Sequence, residues 1–421
     1  MIGIVGAGIT GLTLSSYLEE RGEEHLVLEA TERPGGVIRT TEVEGRILDH
    51  GPQRTRVTPE ISLQLEQLGL ESELITVPPD HPLFVCRGGE LRLVPFTPAG
   101  LFRTNLLSWP GKLRVFLEPL TARWMEDETV GAFLTRKFGA EAYENLMGPL
   151  FGGLYGSDPG EMYVRHSLAG TMEGLGVSRS ILWRFLQGSF NRSSAPAAIS
   201  FRGGMETWIR ALHESVKDRV RLSTPVEALE PGSDGRGWRL LLGDDSLEVD
   251  ELVFTLPADA ASELLLPVAP ELGARLRMLR YNSLALVHLA GETGLHGLGY
   301  QVSYGENLRT RGVTWNASAL ARNGVYTAFL GGARDPGLLE LSDQEIGEIA
   351  RREFGQVTGA ETRVLSVSRT RVPSWDRSWT VLEGIRVPRG IHLCSNYESR
   401  VGIPGRISRA RAMAEELASP E

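Results

Sequence analysis

The feature that most constrains this sequence is a glycine-rich turn close to its first residue. Residues 1–5, MIGIV, have the pattern of a short buried strand, and residues 12–20 have the pattern of a helix. The turn between them reads GAGITG. In such a turn Gly6 makes the tight bend, Gly8 lets backbone N–H groups approach a pyrophosphate, and Gly11 lets helix and strand pack closely. The order of strand, glycine turn and helix predicts a dinucleotide-binding unit.

A carboxylate after the second predicted strand supports this interpretation. Residues 25–28 form that strand, and Glu29 follows it 18 residues after Gly11. A carboxylate at this spacing can accept both hydroxyl groups of an adenosine ribose. The alternative, a glycine turn that arose by chance, does not account for this acidic residue. We therefore expect an α/β fold with a Rossmann-type domain.

The next segment separates a flavin from a nicotinamide cofactor. Residues 32–39 read ERPGGVIR, and their glycine pair would let the chain fold back over a phosphate with an arginine alongside. A surface hairpin with two exposed arginines is the alternative. Residues 49–52, DHGP, form a turn that could pass close to a flat ring. Together these segments predict FAD, with contacts from Arg33, Gly35, Gly36, Arg39, Gly51 and Pro52.

Composition excludes several other classes of protein. The net charge of −9 and the pI near 5.6 argue against nucleic acid as a partner. No window approaches the roughly 20 apolar residues that a spanning helix needs. Two cysteines and eight histidines without paired spacing make a disulfide framework or a metal site unexpected. The sequence starts in a strand pattern without a leader, so a cytoplasmic location is expected.

Longer blocks make the match to a known family specific. They are residues 65–75 (LEQLGLESELI), 127–156 (DETVGAFLTRKFGAEAYENLMGPLFGGLYG), 201–212 (FRGGMETWIRAL), 223–229 (STPVEAL), 253–266 (VFTLPADAASELLL) and 390–407 (GIHLCSNYESRVGIPGRI). With them the sequence resembles the FAD-dependent protoporphyrinogen and coproporphyrinogen oxidase family, within the flavin amine oxidase superfamily. The block at 127–156 is the most specific, because amine oxidases and carotenoid desaturases generally lack it.

The resemblance implies an α/β (α+β) architecture of three parts. An FAD-binding domain would comprise residues 1–75, 200–262 and 380–421. Residues 76–199 would form a mostly helical inserted domain, and residues 263–379 a substrate-binding domain on an antiparallel sheet. Local patterns agree, since residues 129–146 have amphipathic spacing and Ser342 with Glu345 forms a capping box before a helix at 343–354. Strands are expected at 219–226, 238–242 and 284–289, and a closing helix at 404–417.

The resemblance also assigns roles to further residues. Val226 would offer its backbone to the adenine. Val401, Gly402 and Ile403 precede the last helix, whose positive end could stabilise negative charge on the reduced flavin, although a plain strand-to-helix turn is the alternative. In the substrate pocket, Gly153 would lie near the reacting edge of a tetrapyrrole. Its walls would be Leu298, Gln301 and Phe329, which are also plausible as ordinary packing residues.

This sequence departs from the family pattern in three places. Several members have arginine after the Gly-Pro under the flavin, where it can pair with a substrate carboxylate, but this chain has Gln53. Arg54 or Arg56 could substitute. The family's Pro-Gln-Tyr segment is replaced at residues 372–375, VPSW, where Trp375 could lie against the flavin edge. Arg400 stands where a glycine usually precedes the C-terminal valine.

The implied reaction is oxidation of a porphyrinogen, a cyclic tetrapyrrole that loses six electrons and six hydrogens. We expect three hydride transfers to flavin N5, with O₂ or another acceptor such as a quinone reoxidising the cofactor. The electron-rich carbon needs no strong base, so no acid–base residue is assigned. Carotenoid-type desaturation and a non-catalytic FAD-binding protein remain alternatives. Amine oxidation commonly uses a lysine well into the second half of the chain. The three lysines of this sequence are Lys112, Lys137 and Lys217, so no lysine is expected at that position.

The family also suggests peripheral contact with a membrane through the inserted domain. Residues 95–124 mix large apolar side chains such as Leu101, Phe102 and Trp109 with Lys112 and Arg114. This composition suits a bilayer interface, and the inner face of the membrane is the expected place. The alternative is a loop and helix that cover the mouth of the active site.

Overall fold

We describe the fold from a computed structural model of the chain. The described residues are 1–121, 123, 125, 127–174, 180–186, 196–233 and 235–418. Trp124, which ends the amphipathic stretch at 95–124, lies outside them, as do parts of the ranges 76–199 and 380–421.

Short strands dominate the β structure of the described residues. In chain order they are β1 (Ile2–Val5), β2 (His25–Leu28), β3 (Thr40–Val43), β4 (Arg46–Asp49), β5 (Thr55–Arg56), β6 (Leu74–Thr76), β7 (Leu83–Arg87), β8 (Glu90–Leu93), β9 (Ala198–Phe201), β10 (Val220–Arg221), β11 (Ala228–Pro231), β12 (Trp238–Leu242), β13 (Asp245–Val249), β14 (Glu251–Phe254), β15 (Tyr281–Ala290), β16 (Gly299–Val302), β17 (Thr310–Thr314), β18 (Val325–Gly331), β19 (Arg363–Pro373) and β20 (Ile391–Leu393).

The helices follow in the same order. They are α1 (Ile9–Glu20), α2 (Pro59–Gln67), α3 (Pro98–Arg103), α4 (Trp109–Phe116), α5 (Val130–Phe138), α6 (Ala140–Ala142), α7 (Gly148–Tyr155), α8 (Val164–Ser167), α9 (Ala169–Gly174), α10 (Ile181–Leu186), α11 (Glu206–Ser215), α12 (Ala258–Leu265), α13 (Pro270–Arg277), α14 (Asn316–Ala319), α15 (Asp343–Thr358) and α16 (Ile403–Ala418). Among the described helices, none has both the length and the apolar character that crossing a bilayer requires.

A five-stranded parallel sheet holds the glycine turn. Its order is β10-β2-β1-β14-β20, and every neighbouring pair is parallel. Ile4, Val27 and Val253 are fully buried in its strands, in one core cluster with residues of α1 and α16. The strands come from three separated stretches of the chain, at residues 2–28, 220–254 and 391–393. This is the Rossmann-type arrangement that the first turn predicts.

A seven-stranded sheet forms the second layer that matters for function. Its order is β19-β15-β18-β17-β16-β7-β8, antiparallel except where β16 pairs with β7. One face packs on α15, where Ile346, Ala350 and Phe354 are fully buried. The hairpin β7–β8 lies within 76–199, the range expected to form a mostly helical insertion, yet it pairs into this sheet. Its strands turn at Gly88 and Gly89, both with positive φ.

The predicted amphipathic helix at 129–146 is interrupted. Thr129 caps α5 by accepting a hydrogen bond from the Ala132 N–H, and α5 then ends at Phe138. Gly139 has φ +90°, and a Cβ there would lie 2.7 Å from the Arg114 side chain. The chain continues as α6, a π-helical turn at Tyr143–Met147, and α7. The amphipathic spacing is therefore present in α5, but the turn at Gly139 divides the expected single helix into shorter elements.

Other elements match their expected limits more closely. The capping box of Ser342 and Glu345 is present, and α15 runs from Asp343 to Thr358. The strand expected at 219–226 is only Val220–Arg221, because Ser223 adopts a positive φ of 51° and turns the chain.

Candidate functional site

The N-terminus of α1 is open to a ligand. Gly8 caps this helix with φ −69° and ψ 176°, and no side chain bonds the free N–H groups. A Cβ on Gly8 would meet nothing within 4 Å, whereas a Cβ on Gly11 would overlap the carbonyl oxygen of Gly6. Gly6 itself has φ +107°. Thus Gly6 and Gly11 are needed to form the turn, while the open space at Gly8 suits an anion at the positive end of the helix.

Glu29 lies directly beside this turn. Its carboxylate accepts hydrogen bonds from the Ala7 N–H at 2.8 Å and from the Thr31 hydroxyl at 2.7 Å. The Thr224 N–H donates to the carbonyl of Glu29 at 2.8 Å, which brings the loop containing Val226 next to the same strand end. The predicted contacts to ribose, adenine and pyrophosphate therefore adjoin one another.

The second glycine pair packs against the first turn. The Gly35 N–H donates to the carbonyl of Ala7 at 2.8 Å, and Gly35 and Gly36 both have positive φ. Arg33 donates to carbonyls of its own loop, including that of Gly36 at 2.8 Å. Arg39 is exposed, and no hydrogen bond joins its guanidinium to the described residues. The donors of Arg39 are therefore available to a phosphate, whereas those of Arg33 are partly used within its own loop.

Residues 49–53 connect this loop region with the seven-stranded sheet. A Cβ on Gly51 would overlap the carbonyl of Val37, so the two segments pass closely. At one end His288 Nε2 donates to the carbonyl of Asp49 at 3.1 Å, and at the other end the Thr314 hydroxyl donates to Gln53 Oε1 at 2.7 Å. The turn of Gly51 and Pro52, predicted to lie beneath the flavin, is thus held across β15, β18 and β17.

A buried polar cluster supports this crossing segment. The Asp49 carboxylate accepts from the Thr40 hydroxyl at 2.7 Å and the Met205 N–H at 2.8 Å, and it lies 3.6 Å from the Arg322 guanidinium. Burial raises the pKa of Asp49.

Two histidine rings lie beside this cluster. The ring of His288 meets that of His50 edge to face at 5.2 Å. Burial lowers the pKa of His288 to about 4, and it lowers the pKa of His50 as well. Both imidazoles are therefore neutral near pH 7.

The site face of the seven-stranded sheet is organised in rows of paired residues. His288 pairs with Thr327, which pairs with Thr314, and residues 49–53 lie over this row. In the next row Leu286 pairs with Phe329, Phe329 with Gly312, and Gly312 with Gln301. Directly paired residues point to the same face of a sheet. The structure therefore places two predicted wall residues, Gln301 and Phe329, in one row, with Gly312 between them.

Helix α7 forms the opposite wall. A Cβ on Gly153 would overlap the amide of Gln301, and a Cβ on Gly152 would lie 2.6 Å from the Tyr304 hydroxyl. At the helix end, a Cβ on Gly156 would lie 2.8 Å from Leu284, one row beyond Leu286. The glycines thus let α7 approach the sheet closely.

From these contacts we infer a cleft over the row of Gln301, Gly312 and Phe329, which we term the cleft floor. Residues 49–53, which contact the row of His288 and Thr314, and α7, which contacts Gln301 through Gly153, are its walls. Gln301 and Phe329 are partly exposed and Gly153 is exposed. The cleft therefore adjoins the predicted flavin floor on one side and Gly153 on the other.

The remaining predicted substrate residues have the following surroundings. Leu298 is buried in a small cluster with Leu320 and packs away from the cleft floor. Trp375 has φ +53° and stacks on Trp379, with ring centres 5.2 Å apart. Arg56 is exposed and donates to the carbonyl of Pro196 at 2.7 Å, and Arg54 is partly buried.

The last helix begins at a tightly fixed turn. Gly402, between Val401 and Ile403, has φ +87°. Arg406 donates to the carbonyls of Asn396 at 3.1 Å and Arg400 at 3.4 Å, and burial lowers its pKa to about 10. Arg400, the departure from the family glycine, is therefore accommodated through its backbone. The role of this helix end toward a cofactor stays a prediction.

Sequence reasoning missed several groups that build the site. His288, Thr314 and Arg322 bind the segment at 49–53 from positions far along the chain, so no local pattern announces them. Tyr304 was also missed, although its glycine partners lie within the most specific block. These four residues can be recognised as part of the site only when the strand pairing is known.

The residues around Gly8 fit a dinucleotide with a pyrophosphate. The helix end has free N–H groups and space, Glu29 stands where a ribose would bind, and the pair Gly35–Gly36 closes over the turn. A flat ring system beyond the pyrophosphate would reach Gly51 and Pro52. Among the described residues no cluster suited to a metal ion is found.

Comparison with known proteins agrees with this geometry. Residues 9–386 match the family described as flavin containing amine oxidoreductase. Protoporphyrinogen oxidase of Bos taurus is 30% identical over 350 residues, which cover 75% of this chain and 72% of the relative. Coproporphyrinogen III oxidase of Bacillus subtilis is 26% identical over 383 residues, covering 82% and 80%. A crystal structure from Exiguobacterium sp. 255-15, described as a candidate protoporphyrinogen oxidase, superposes with a TM-score of 0.78 at 24% identity, covering 99% and 98%.

Proposed function

The chain belongs to the flavin containing amine oxidoreductase family, among the protoporphyrinogen and coproporphyrinogen oxidases, and from this premise we propose that it oxidises a porphyrinogen to the porphyrin. Membership confirms the predicted FAD-binding α/β fold, the FAD cofactor and the oxidoreductase class. The observation that carries the proposal is the cleft whose floor joins Gln301 and Phe329 beside the segment at 49–53. A flat, largely apolar macrocycle suits such a cleft.

We propose that FAD is held by the residues expected from the sequence. They are Gly6, Gly8, Gly11, Glu29, Arg33, Gly35, Gly36, Arg39, Gly51, Pro52, Val226, Val401, Gly402 and Ile403. We also propose the domain limits expected from the family. The exception is the hairpin β7–β8, which pairs into the seven-stranded sheet and so belongs with the substrate-binding domain.

The protein's part in the reaction is orientation. Bound FAD would accept a hydride from a bridging carbon in each of three rounds, with O₂ as the proposed acceptor of the electrons. The cleft floor would support one face of the macrocycle, and the Gly51–Pro52 turn would hold the cofactor ring beside it. The exposed Gly153, which lets α7 pack against the Gln301 amide, would lie near the macrocycle edge. Positioning of this kind supplies much of the rate when the donor carbon is already electron-rich.

The lysines argue against amine oxidation in this cleft. Lys112 donates to the carbonyl of Phe102 at 2.8 Å, Lys137 pairs with Glu118 at 3.0 Å, and Lys217 pairs with Glu214 at 2.6 Å. These are the three lysines of the whole sequence, and each is engaged away from the cleft floor. None is therefore placed to act beside a flavin.

The test of this function is product formation in air. Purified holoenzyme is given protoporphyrinogen IX or coproporphyrinogen III, and porphyrin fluorescence and hydrogen peroxide are followed together. We expect three peroxides for each porphyrin, because six electrons leave the substrate in pairs. Porphyrin formation no faster than autoxidation, with both substrates and full FAD occupancy, would contradict the proposal.

We further propose contact with a membrane surface through the helical region. Its exposed apolar side chains, which we term the apolar platform, are Phe102, Trp109, Leu113, Leu117 and Leu120. Leu120 is 82% exposed and Trp109 63% exposed. The spacing of Trp109, Leu113 and Leu117 places them on one helix face. An exposed apolar patch of this kind suits a bilayer interface.

Liposome flotation with and without anionic lipid tests the platform. We expect the holoenzyme to float with vesicles and the variant W109E/L113E to stay behind. The matched control is Leu63→Glu, since Leu63 is 53% exposed on α2 and outside the platform. No flotation of the wild type under either condition would contradict membrane contact. The expected location at the inner face of the cytoplasmic membrane stays a prediction.

A further inference from the structure

Arg311 occupies an irregularity in the strand that carries the cleft floor. The pairing of β17 with β18 shifts between Thr310 and Gly312, so Arg311 is the extra residue of a β-bulge. Bulges next to active sites re-aim a side chain that regular pairing would point elsewhere. The next residue, Gly312, is part of the cleft floor.

The guanidinium of Arg311 is poorly paired. Its Nη2 lies 4.0 Å from Asp335 Oδ2, beyond hydrogen-bond distance. Asp335 is already engaged by Arg309, which donates from Nε at 2.7 Å and from Nη2 at 2.9 Å. Nε of Arg311 is buried and has no hydrogen-bond partner among the described residues. Burial also lowers the pKa of Arg311. A desolvated cation with a free donor is costly unless a ligand binds it.

The other charged groups nearby have partners. Both carboxylate oxygens of Glu353 accept backbone N–H groups, from Arg309 at 3.1 Å and from Thr310 at 2.8 Å. Arg334 lies 3.8 Å over the Tyr304 ring and 3.5 Å from Asp158. Of the guanidinium groups of Arg309, Arg311 and Arg334, that of Arg311 is therefore the one without a hydrogen bond to the described residues.

Arg311 also lies at the α7 side of the cleft. It interacts electrostatically with Tyr304 and Arg334. The Tyr304 hydroxyl donates to the carbonyl of Gly148 at 2.7 Å, so this tyrosine anchors the start of α7. The Arg311 side chain is 27% exposed and can therefore be reached from solvent.

We propose that Arg311 binds a carboxylate side chain of the tetrapyrrole substrate at the α7 end of the cleft. The inference rests on the proposed function and names the group that would read the acidic rim of the macrocycle. A guanidinium suits this task because its planar fork can hold both oxygens of a carboxylate. Arg56, an alternative from the sequence, is instead bonded to the carbonyl of Pro196.

The test compares acid and ester forms of the product. Coproporphyrin III and its tetramethyl ester are titrated into holoenzyme, and dissociation constants are taken from quenching of porphyrin fluorescence. We expect the wild type to bind the acid about tenfold more tightly than the ester, the worth of one charged hydrogen bond. Arg311→Gln should lose this preference and raise the KM for the porphyrinogen about tenfold, with kcat nearly unchanged.

Two further variants complete the experiment. Arg311→Lys keeps the charge without the planar fork, so an intermediate preference is expected and decides the question if Arg311→Gln does not fold. Arg351→Gln is the matched control, because Arg351 is exposed on α15 and paired with Glu348. An unchanged preference for the acid in both Arg311 variants would overturn the inference. Wild-type enzyme that oxidises no porphyrinogen would instead overturn the proposed function.

Discussion

Replacing Gly8 by alanine separates cofactor binding from folding. The backbone at Gly8, φ −69° and ψ 176°, is allowed for alanine, and the added Cβ meets no protein atom within 4 Å. Alanine is a poorer N-cap than glycine, which costs about 0.5–1 kcal/mol of stability. Alanine also lowers the conformational entropy of the unfolded chain, which stabilises the folded protein by about 0.4–1 kcal/mol. The apoprotein should therefore keep its free energy of unfolding within about 1 kcal/mol. FAD affinity should fall at least tenfold, about 1.4 kcal/mol, because the methyl group fills the space left for a phosphate.

Gly11→Ala is the contrasting variant. Its Cβ would overlap the carbonyl oxygen of Gly6, a backbone atom that cannot move freely. Overpacking of this kind costs about 1–3 kcal/mol, so the apoprotein itself should lose stability. The assay is urea unfolding of each apoprotein, followed by FAD titration monitored through quenching of flavin fluorescence. If Gly8→Ala binds FAD as tightly as the wild type, the assignment of this turn to the pyrophosphate is wrong.

Three further predictions address His288, the helical region and the cleft. Burial lowers the pKa of His288 to about 4, so on acidification the imidazole takes up a proton in the unfolded chain before it does so in the folded protein. The free energy of unfolding should therefore fall by up to about 3 kcal/mol between about pH 6.5 and pH 4, and urea unfolding against pH should show a smaller fall in His288→Gln. Lys137→Met leaves Glu118 buried without its cation and should cost about 3–5 kcal/mol in thermal unfolding, with part recovered in K137M/E118Q; no loss would refute a stabilising pair. Gly153→Ala should retain FAD and folding stability but raise the KM for porphyrinogen, since its methyl group displaces the Gln301 amide into the cleft; unchanged kinetics would place the substrate elsewhere.

Short-range chemistry made parts of this molecule predictable from the sequence. The turn around Gly8 and the capping box of Ser342 and Glu345 depend on residues a few positions apart, and both are present in the structure. The last helix was expected at 404–417 and runs from Ile403 to Ala418. In each case a local hydrogen bond or a glycine conformation determines where the element begins.

Long-range contacts could not be predicted in the same way. His288 bonds the carbonyl of Asp49, 239 positions earlier in the chain, and only strand pairing brings them together. The hairpin β7–β8 joins a sheet whose other strands begin at Tyr281. Arg311 lies in a β-bulge, and the position of the bulge depends on the register between β17 and β18. Such features follow from tertiary pairing, so sequence periodicity does not reveal them.

The central claim is that porphyrinogen delivers its electrons to the flavin of this chain. Anaerobic stopped-flow mixing of holoenzyme with protoporphyrinogen IX or coproporphyrinogen III tests it most directly. We predict that the absorbance band of oxidised flavin disappears after anaerobic mixing and returns when oxygenated buffer is added. A flavin spectrum that stays unchanged with both porphyrinogens, while dithionite still reduces the same sample, would contradict the account.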